Sequence, residues 1–407
     1  VGPGPIVIGR DTRASGKAFR KSVIDGLNRA GHTVIDLGIV PTPTVLFTVR
    51  TLKAAAGIVI TASHNPSQWN ALKFVSSKGV FLNEEEFSVF SSSVAEHADL
   101  PSRRKPRVSL RRAVLDAHID AIVSNIGPPG QSLRIGVDAV NAAGSVGLPR
   151  VLERMGCKVF RLHCRFAPVF PRGPEPVAKN IATLCRFVKR HKLDIGFACD
   201  PDCDRLAVVD ERGRPINEEN TLVLACDHVL GRRKGPVVTN LSTTALMDYV
   251  AAKHAVRLYR TKVGEANVVS KMAETSAVIG GEGNGGVIYP AVNPTRDALV
   301  AAAIVVKLVS DRGMRVSQLM AAYPRYYMIK KKLAANMNRF EEQKQRIIDA
   351  FPGCIDHTDG LKIQGDGYWV HIRPSQTEHV VRIIVESEDR KAANDIAAKV
   401  QRMLGKR

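Results

Sequence analysis

Short apolar runs alternate along the chain with stretches in which apolar residues recur every three to four positions. Ile6-Val7-Ile8 reads as a strand, and Phe19, Val23 and Leu27 fall on one face of a helix over about residues 17–30 that Gly31 closes. The same alternation returns with a strand at 57–61, and again with a strand at 133–138 and a helix through 148–155 ended by Gly156. A third round opens at 236–239. Strand–helix alternation of this kind predicts α/β domains. Pro128-Pro129-Gly130 and Arg232-Arg233-Lys234-Gly235-Pro236 read as joints, because proline and glycine stop elements and charge keeps a segment wet. After Tyr323-Pro324 the pattern changes to a strand at 326–333, a helix over about 339–351 and strands at 361–363, 368–372 and 380–386, which predicts a small α+β domain. The expected division is 1–128, 129–231, 232–324 and 325–407.

Composition agrees with several globular domains. The chain has 407 residues, 44% hydrophobic and 5% aromatic, which excludes a disordered or fibrous protein. Its best apolar stretch, 298–309, contains Lys307 and falls short of the about 18 to 20 residues of a spanning helix, so no membrane partner is expected. The segment from Val1 to Pro5 lacks the basic start and apolar stretch of a secretory signal. Seven cysteines, odd in number and without a C-x-x-C pair, fit reduced thiols in a cytoplasmic protein. Lys+Arg 59 against Asp+Glu 39 gives a formal charge of +20. The basic clusters at 103–112, 232–234 and 330–332 carry no interleaved aromatics, so they read as solvated faces and no nucleic-acid partner is expected.

Four segments carry candidate chemistry. The strand at 57–61 runs into Ala62-Ser63-His64-Asn65-Pro66, placing a hydroxyl at the C-terminal end of a strand, where α/β sheets bind ligands. Ser63 is there either a nucleophile or an ordinary turn serine; the absence of G-x-S-x-G argues against a hydrolase elbow. In Asp200-Pro201-Asp202-Cys203-Asp204-Arg205 three carboxylates alternate on one loop; either their repulsion and oxygen-only chemistry are answered by a hard cation, Mg²⁺ or Ca²⁺, or the segment is a solvated acidic turn, against which the adjoining Arg205 and the apolar strands on both sides count. A calcium loop is disfavoured: Glu211 falls at the twelfth position, but Arg205 stands where glycine is required. Gly280-Gly281-Glu282-Gly283-Asn284-Gly285-Gly286 brings a carboxylate and an amide onto a glycine-rich turn, which suits sugar hydroxyls or is purely structural. Arg373-Pro374-Ser375-Gln376-Thr377 gathers a guanidinium, hydroxyls and turn amides into an anion clamp, and Gly9-Arg10-Asp11-Thr12-Arg13 opens a helix where it can present cations to a phosphate or to the reacting Ser; the alternative for either segment is a capped helix start and nothing more.

Together and in this order, these segments resemble the α-D-phosphohexomutase family over essentially the whole chain. Its T-A-S-H-N-P loop is intact at 61–66, its D-G-D-x-D-R loop stands at 200–205, its G-E sugar loop at 281–286 and its R-x-S-x-T phosphate loop at 373–377. The resemblance implies a four-domain architecture, three α/β domains with mixed sheets and a C-terminal α+β domain. It implies a phosphoserine at Ser63 and Mg²⁺ held by Asp200, Asp202, Asp204 and that phosphoserine. The phosphoryl group would pass to a hexose monophosphate and return from a bisphosphate that turns over in the cleft, with hexose 1,6-bisphosphate as primer. Lys73, in Asn70-Ala71-Leu72-Lys73, Arg13, His64 and Arg205 would serve the transfer, with Lys73 also a candidate acid or base. Lys262, Glu282 and Asn284 would bind the sugar, and Arg373, Ser375, Gln376 and Thr377 the phosphate that is not reacting.

Two departures stand out. Gly286 occupies the place where many bacterial members carry a histidine, and the family's opening strand and G-T-S-G-I-R-G segment are missing ahead of Gly9, which reads as truncation. Thr261-Lys262-Val263-Gly264 and the sugar loop look closer to phosphoglucosamine mutases, with a phosphomannomutase/phosphoglucomutase as the alternative and an inactive sugar-phosphate-binding homologue as the reading from another class. A monomer or homodimer acting on small-molecule hexose phosphates is expected.

Overall fold

Ile6, Val7 and Ile8 are all buried, as a continuous apolar run at the centre of a parallel sheet must be. In the computed structural model, which describes residues 2, 4–96, 108–110, 113–334, 337–375 and 380–405, the strand Ile6–Arg10 lies between Val34–Ile39 and Ala56–Ile60. Val108–Leu110 extends this sheet in parallel at one edge, and Leu72–Val75 closes the other edge antiparallel. A second sheet repeats the plan, with Lys158–Leu162, Arg134–Asp138 and Ile195–Cys199 parallel and Leu206–Val209 antiparallel. A third runs Leu258–Thr261, Val237–Asn240 and Ile279–Glu282 in parallel, then Gly286–Tyr289 and Asn293–Arg296 antiparallel. The last sheet is antiparallel throughout, from Tyr327–Leu333 through Val381–Ser387, Tyr368–Pro374 and Leu361–Gly365 to Cys354–Asp356. The architecture is therefore three α/β units with mixed sheets and one α+β unit.

The apolar stretch that opens at Ala298 forms a helix, Ala298–Arg312, buried on nearly every side. Such all-round burial marks a helix inside a large core. It packs against helices Val114–Ile126, Gly144–Arg154 and Glu219–Arg232 and the strand Gly286–Tyr289, so one continuous apolar core joins the second and third units. Asp297 caps it, accepting bonds from the backbone N–H groups of Leu299 and Val300, and Gly313 ends it in the left-handed region at φ 60°. The helices Val114–Ile126 and Glu219–Arg232, which precede the joints expected at 128 and 232, both lie against it.

The C-terminal unit keeps a core of its own, with Phe340, Ile347, Ile363, Val385 and Val400 among its members, and meets the third unit through polar contacts. Lys362 Nζ donates to the carbonyl of Leu241 at 2.7 Å, Glu386 Oε2 accepts from the Ala245 N–H at 2.7 Å, and Ser242 Oγ lies 2.8 Å from His371 Nδ1. Lys330 does not lie on a free solvated face, as its basic cluster suggested; it reaches Glu218 at 3.0 Å and Glu219 at 2.7 Å. Helix Gly16–Arg29 also differs in detail: Ile24 is its buried apolar residue, while Phe19 is 39% exposed. No helix among the described residues is long and apolar enough to cross a membrane.

The central helix generates a stability prediction. Ile304→Ala should cost about 2–5 kcal/mol, because a rigid three-sided packing cannot collapse onto the cavity. Urea unfolding measures it; a loss below about 1 kcal/mol would show that this helix is not a shared core element.

Candidate active site

The serine loop is held from beneath. Ser63 follows the strand Ala56–Ile60 with φ at 46°, in the left-handed region, and its N–H donates to Thr61 Oγ1 at 3.0 Å. Thr61 Oγ1 in turn donates to Asp11 Oδ2 at 2.8 Å. Arg13, fully buried, spends its guanidinium on the same loop. Nε donates to Asp11 Oδ2 at 2.9 Å, Nη2 to the carbonyls of Ser63 at 2.6 Å and Asn65 at 2.8 Å, and Nη1 to those of Pro66 and Trp69. The Phe170 ring covers its face at 5.1 Å. All five N–H donors of Arg13 are engaged in this way, so it shapes the loop.

The aspartate loop follows the buried strand Ile195–Cys199 and is pinned by three helix starts. Thr42, the first residue of helix Thr42–Thr51, donates its N–H to the carbonyl of Asp202 at 2.8 Å. Ala143, the N-cap of Gly144–Arg154, donates to that of Pro201 at 3.0 Å, and Ala298 to that of Cys203 at 3.2 Å. These N–H groups are the orphan donors of helix N-termini, and each is satisfied by a backbone carbonyl of the aspartate loop. Cys203 sits at φ 60°, a conformation that costs a non-glycine residue about 1 kcal/mol or more.

The carboxylates Asp200, Asp202 and Asp204 are buried, with ligand atoms within 4.8 Å of one another. Asp200 Oδ1 accepts the N–H groups of Asp204 and Arg205, each at 3.2 Å, and its Oδ2 accepts from Ser63 Oγ at 2.9 Å. Asp202 Oδ2 accepts from Lys73 Nζ at 2.8 Å and Thr42 Oγ1 at 3.0 Å, and Asp204 Oδ2 accepts from Arg296 Nη2 at 2.6 Å. Asp202 Oδ1 and Asp204 Oδ1 are buried with no hydrogen-bond partner. Each aspartate thus has one oxygen fixed by the protein, while the other is either unpartnered or bonded only to Ser63. An all-oxygen set with orphaned, buried lone pairs fits a hard divalent cation.

Burial pushes both Asp200 and Asp202 upward in pKa. In Asp202 the Lys73 charge together with the hydrogen bonds from Lys73 and Thr42 outweighs it and holds the carboxyl below the usual range, whereas Asp200, beside Asp204 and Asp202, is driven well above. Burial works against the Lys73 charge, but Asp202 and Asp204 outweigh it and raise the ammonium above its ordinary value, so Lys73 is a cation here. Burial and then Arg205 depress His64 to about 2, leaving a neutral imidazole whose Nδ1 has no hydrogen-bond partner. Arg205 Nε lies 3.6 Å from Asp204 Oδ1 and 3.9 Å from Asp200 Oδ2.

Glu282, at the end of strand Ile279–Glu282, is 3% exposed. Its Oε1 accepts from Asn240 Nδ2 at 2.9 Å and the Gly264 N–H at 3.0 Å, and its Oε2 from Arg296 Nη1 at 2.6 Å and Asn284 Nδ2 at 3.4 Å. The carboxylate is saturated in this arrangement, so a sugar hydroxyl would have to displace one of these donors. Lys262 is exposed. Arg373, nearly buried, is paired through Nε with Asp359 Oδ2 at 3.0 Å, and the same oxygen accepts the Val263 N–H at 2.9 Å, which ties the phosphate loop to the segment bearing Lys262. Ser375 is half-buried; Gln376 and Thr377 lie outside the described residues. Sequence reasoning missed Arg296, Glu265, Thr42, Asp11 and Asp359. Arg296-Asp297 does leave a trace, a charged pair directly ahead of the longest apolar stretch.

Family models for phosphoglucomutase/phosphomannomutase match four consecutive parts of the chain: the alpha/beta/alpha domains I, II and III at residues 2–97, 116–213 and 217–326, and the C-terminal domain at 331–403. The chain belongs to the phosphohexomutase family. Among its relatives, "Probable phosphoglucosamine mutase" of Methanopyrus kandleri is 34% identical over 406 residues, covering 97% of this chain and 89% of that protein. "Phosphoglucomutase/phosphomannomutase" of Thermococcus kodakarensis is also 34% identical, over 96% of this chain and 87% of that one. A solved phosphoglucomutase/phosphomannomutase family protein from Burkholderia thailandensis superposes with a TM-score of 0.88 at 25% identity, covering 99% of this chain and 89% of that chain. This phosphohexomutase is an isomerase, an intramolecular phosphotransferase.

Two outcomes follow from the site. Arg13→Lys cannot replace five fixed N–H groups, so turnover should fall about 10- to 100-fold, the equivalent of about 1–3 kcal/mol, with the secondary structure by circular dichroism unchanged. Unaltered turnover would mean that the serine loop holds its shape without Arg13. At the interface with the C-terminal unit, burial and then Arg260 lower Lys362 to about 7 from its ordinary 10.5. The unfolded chain therefore binds this proton over a range where the folded chain has released it, and stability from this group rises as pH increases from about 7 towards 10.5. Urea midpoints measured from pH 6 to 10 should show that rise, and Lys362→Met should flatten it; parallel profiles would refute the assignment.

Proposed function

We propose that the chain interconverts hexose 6- and 1-phosphates through a phosphoserine at Ser63, most readily the phosphates of glucosamine. The observation that carries this is the position of Ser63 Oγ, 2.9 Å from Asp200 Oδ2 on a loop whose two other aspartates each keep an unpartnered oxygen. Asp200, Asp202 and Asp204, with the phosphoserine, would hold Mg²⁺. When bound, the cation offsets the charge that the transferring phosphoryl group develops.

The protein's own part is positioning and charge. The left-handed backbone at Ser63, fixed by Arg13 and Thr61, aims Oγ at Asp200. In the first half-reaction the Oγ–P bond breaks, the phosphoryl group passes to the C1 hydroxyl oxygen of a hexose 6-phosphate, and that hydroxyl's proton is released as Oγ takes one up. The bisphosphate turns over, and its 6-phosphoryl group returns to Ser63. Lys73 and Arg205 supply fixed positive charge to both halves, and removing such a group costs about 2–4 kcal/mol in the transition state. Arg373 and Ser375, with Gln376 and Thr377, would hold the idle phosphate, and Lys262, Glu282 and Asn284 the sugar.

Glucosamine is supported by the Methanopyrus relative's name, together with the sequence of the loops at 261–264 and 281–286. The Thermococcus relative, equally similar, supports glucose and mannose phosphates as the second reading. Incubation with glucose 1,6-bisphosphate and Mg²⁺ should raise the intact mass by one phosphoryl group in the wild type and leave Ser63→Ala unchanged. Ser63→Ala should also lose more than about 1,000-fold in turnover, as removal of a covalent nucleophile does. Turnover retained by Ser63→Ala would end the phosphoserine reading, and a preference for glucose or mannose phosphates in side-by-side assays would replace the glucosamine assignment.

A further inference from the structure

Arg296 joins two loops that are far apart in sequence. From the end of strand Asn293–Arg296 its guanidinium reaches Asp204 Oδ2 at 2.6 Å, Glu282 Oε2 at 2.6 Å and Glu265 Oε2 at 3.1 Å. The stem fills a defined space: a Cβ built on Gly286 would overlap Arg296 Cδ and lie 2.9 Å from its Cγ. Gly286 is absent from the positive-φ glycines, in contrast to its neighbours Gly281 at 149° and Gly285 at 85°, so its backbone does not require glycine. What requires glycine there is room for the arginine. That arginine cannot simply swing aside, because three buried carboxylates hold its head.

We propose that Arg296 is a positioning residue for phosphoryl transfer: it locks Asp204 of the aspartate loop to Glu282 of the sugar loop, and Gly286 exists to admit its side chain. The inference rests on the cation reading above. With Oδ2 of Asp204 fixed by Arg296, the unpartnered Oδ1 is the oxygen left for the cation, and its orientation is set from the sugar-loop side. Partners of this second rank orient a ligand and tune its affinity. A displacement of Glu282 by an arriving sugar would pass through the one guanidinium to Asp204. Lysine cannot take this place, since a single ammonium cannot span three carboxylates with the geometry of a planar fork.

The test uses the full chain and Mn²⁺ as probe, titrated by electron paramagnetic resonance, alongside circular dichroism and steady-state kinetics on glucosamine 6-phosphate and glucose 6-phosphate. Arg296→Lys and, independently, Gly286→Ala should each weaken Mn²⁺ binding about tenfold or more and lower kcat with a smaller change in KM. Arg296→Ala combined with Gly286→Ala should add little to the loss from Arg296→Ala alone, because the clash has gone. Wild-type Mn²⁺ affinity in both Arg296→Lys and Gly286→Ala would overturn the proposal. Should Arg296→Lys not fold, Gly286→Ala decides. Failure of the wild-type chain itself to bind Mn²⁺ is a different pattern, and would overturn the cation reading and this inference together.

Discussion

Three buried carboxylates within 4.8 Å of one another are the constraint around which the molecule is built. Like charges at that distance, out of contact with water, repel strongly unless positive charge surrounds them. The fold supplies it from several directions: Lys73 from the edge strand of the first sheet, Arg205 from the loop itself and Arg296 from the third sheet. The starts of three helices hold the loop's backbone carbonyls through the N–H groups of Thr42, Ala143 and Ala298. Each helix start belongs to a different sheet's surroundings, so the aspartate loop holds its shape only when all three units are docked. This gives the central helix Ala298–Arg312 two roles, as the shared apolar core and as one of the loop's donors.

Much of this was legible because the chemistry is local. The serine and aspartate loops, which the structure brings together, are each short contiguous segments at strand ends, so residue type and spacing carry the signal. The alternation of strands and helices likewise marked three α/β units and a C-terminal α+β unit. Long-range contacts were not legible. Asp11, Thr42 and Arg296 come from positions far along the chain from Thr61, Asp202 and Asp204, and nothing in their own neighbourhoods names those partners. Arg13 is a further case: its charge is evident from the sequence, but not that its guanidinium is buried against the carbonyls of Ser63 and Asn65 some fifty residues on. Phe19 illustrates the limit of helical periodicity, since three residues on one face do not decide how far round the buried stripe extends.

The departures from the family pattern have physical explanations of unequal strength. Gly286 is compensated in space by Arg296, so a missing side chain on one strand is matched by a large one on its antiparallel partner. Ion pairs such as Lys330 with Glu219 and Arg13 with Asp11 cancel acid against base and leave the excess of 20 positive charges intact, and that excess favours anionic ligands such as sugar phosphates without selecting among them.

The central claim is that Asp200, Asp202 and Asp204 meet to hold a cation beside Ser63. Anomalous diffraction at the manganese edge, from crystals of the chain equilibrated with Mn²⁺, tests it most directly. One strong peak is expected about 2.1 Å from an oxygen of each aspartate and adjacent to Ser63. Strong peaks elsewhere, with none among the three carboxylates, would contradict it.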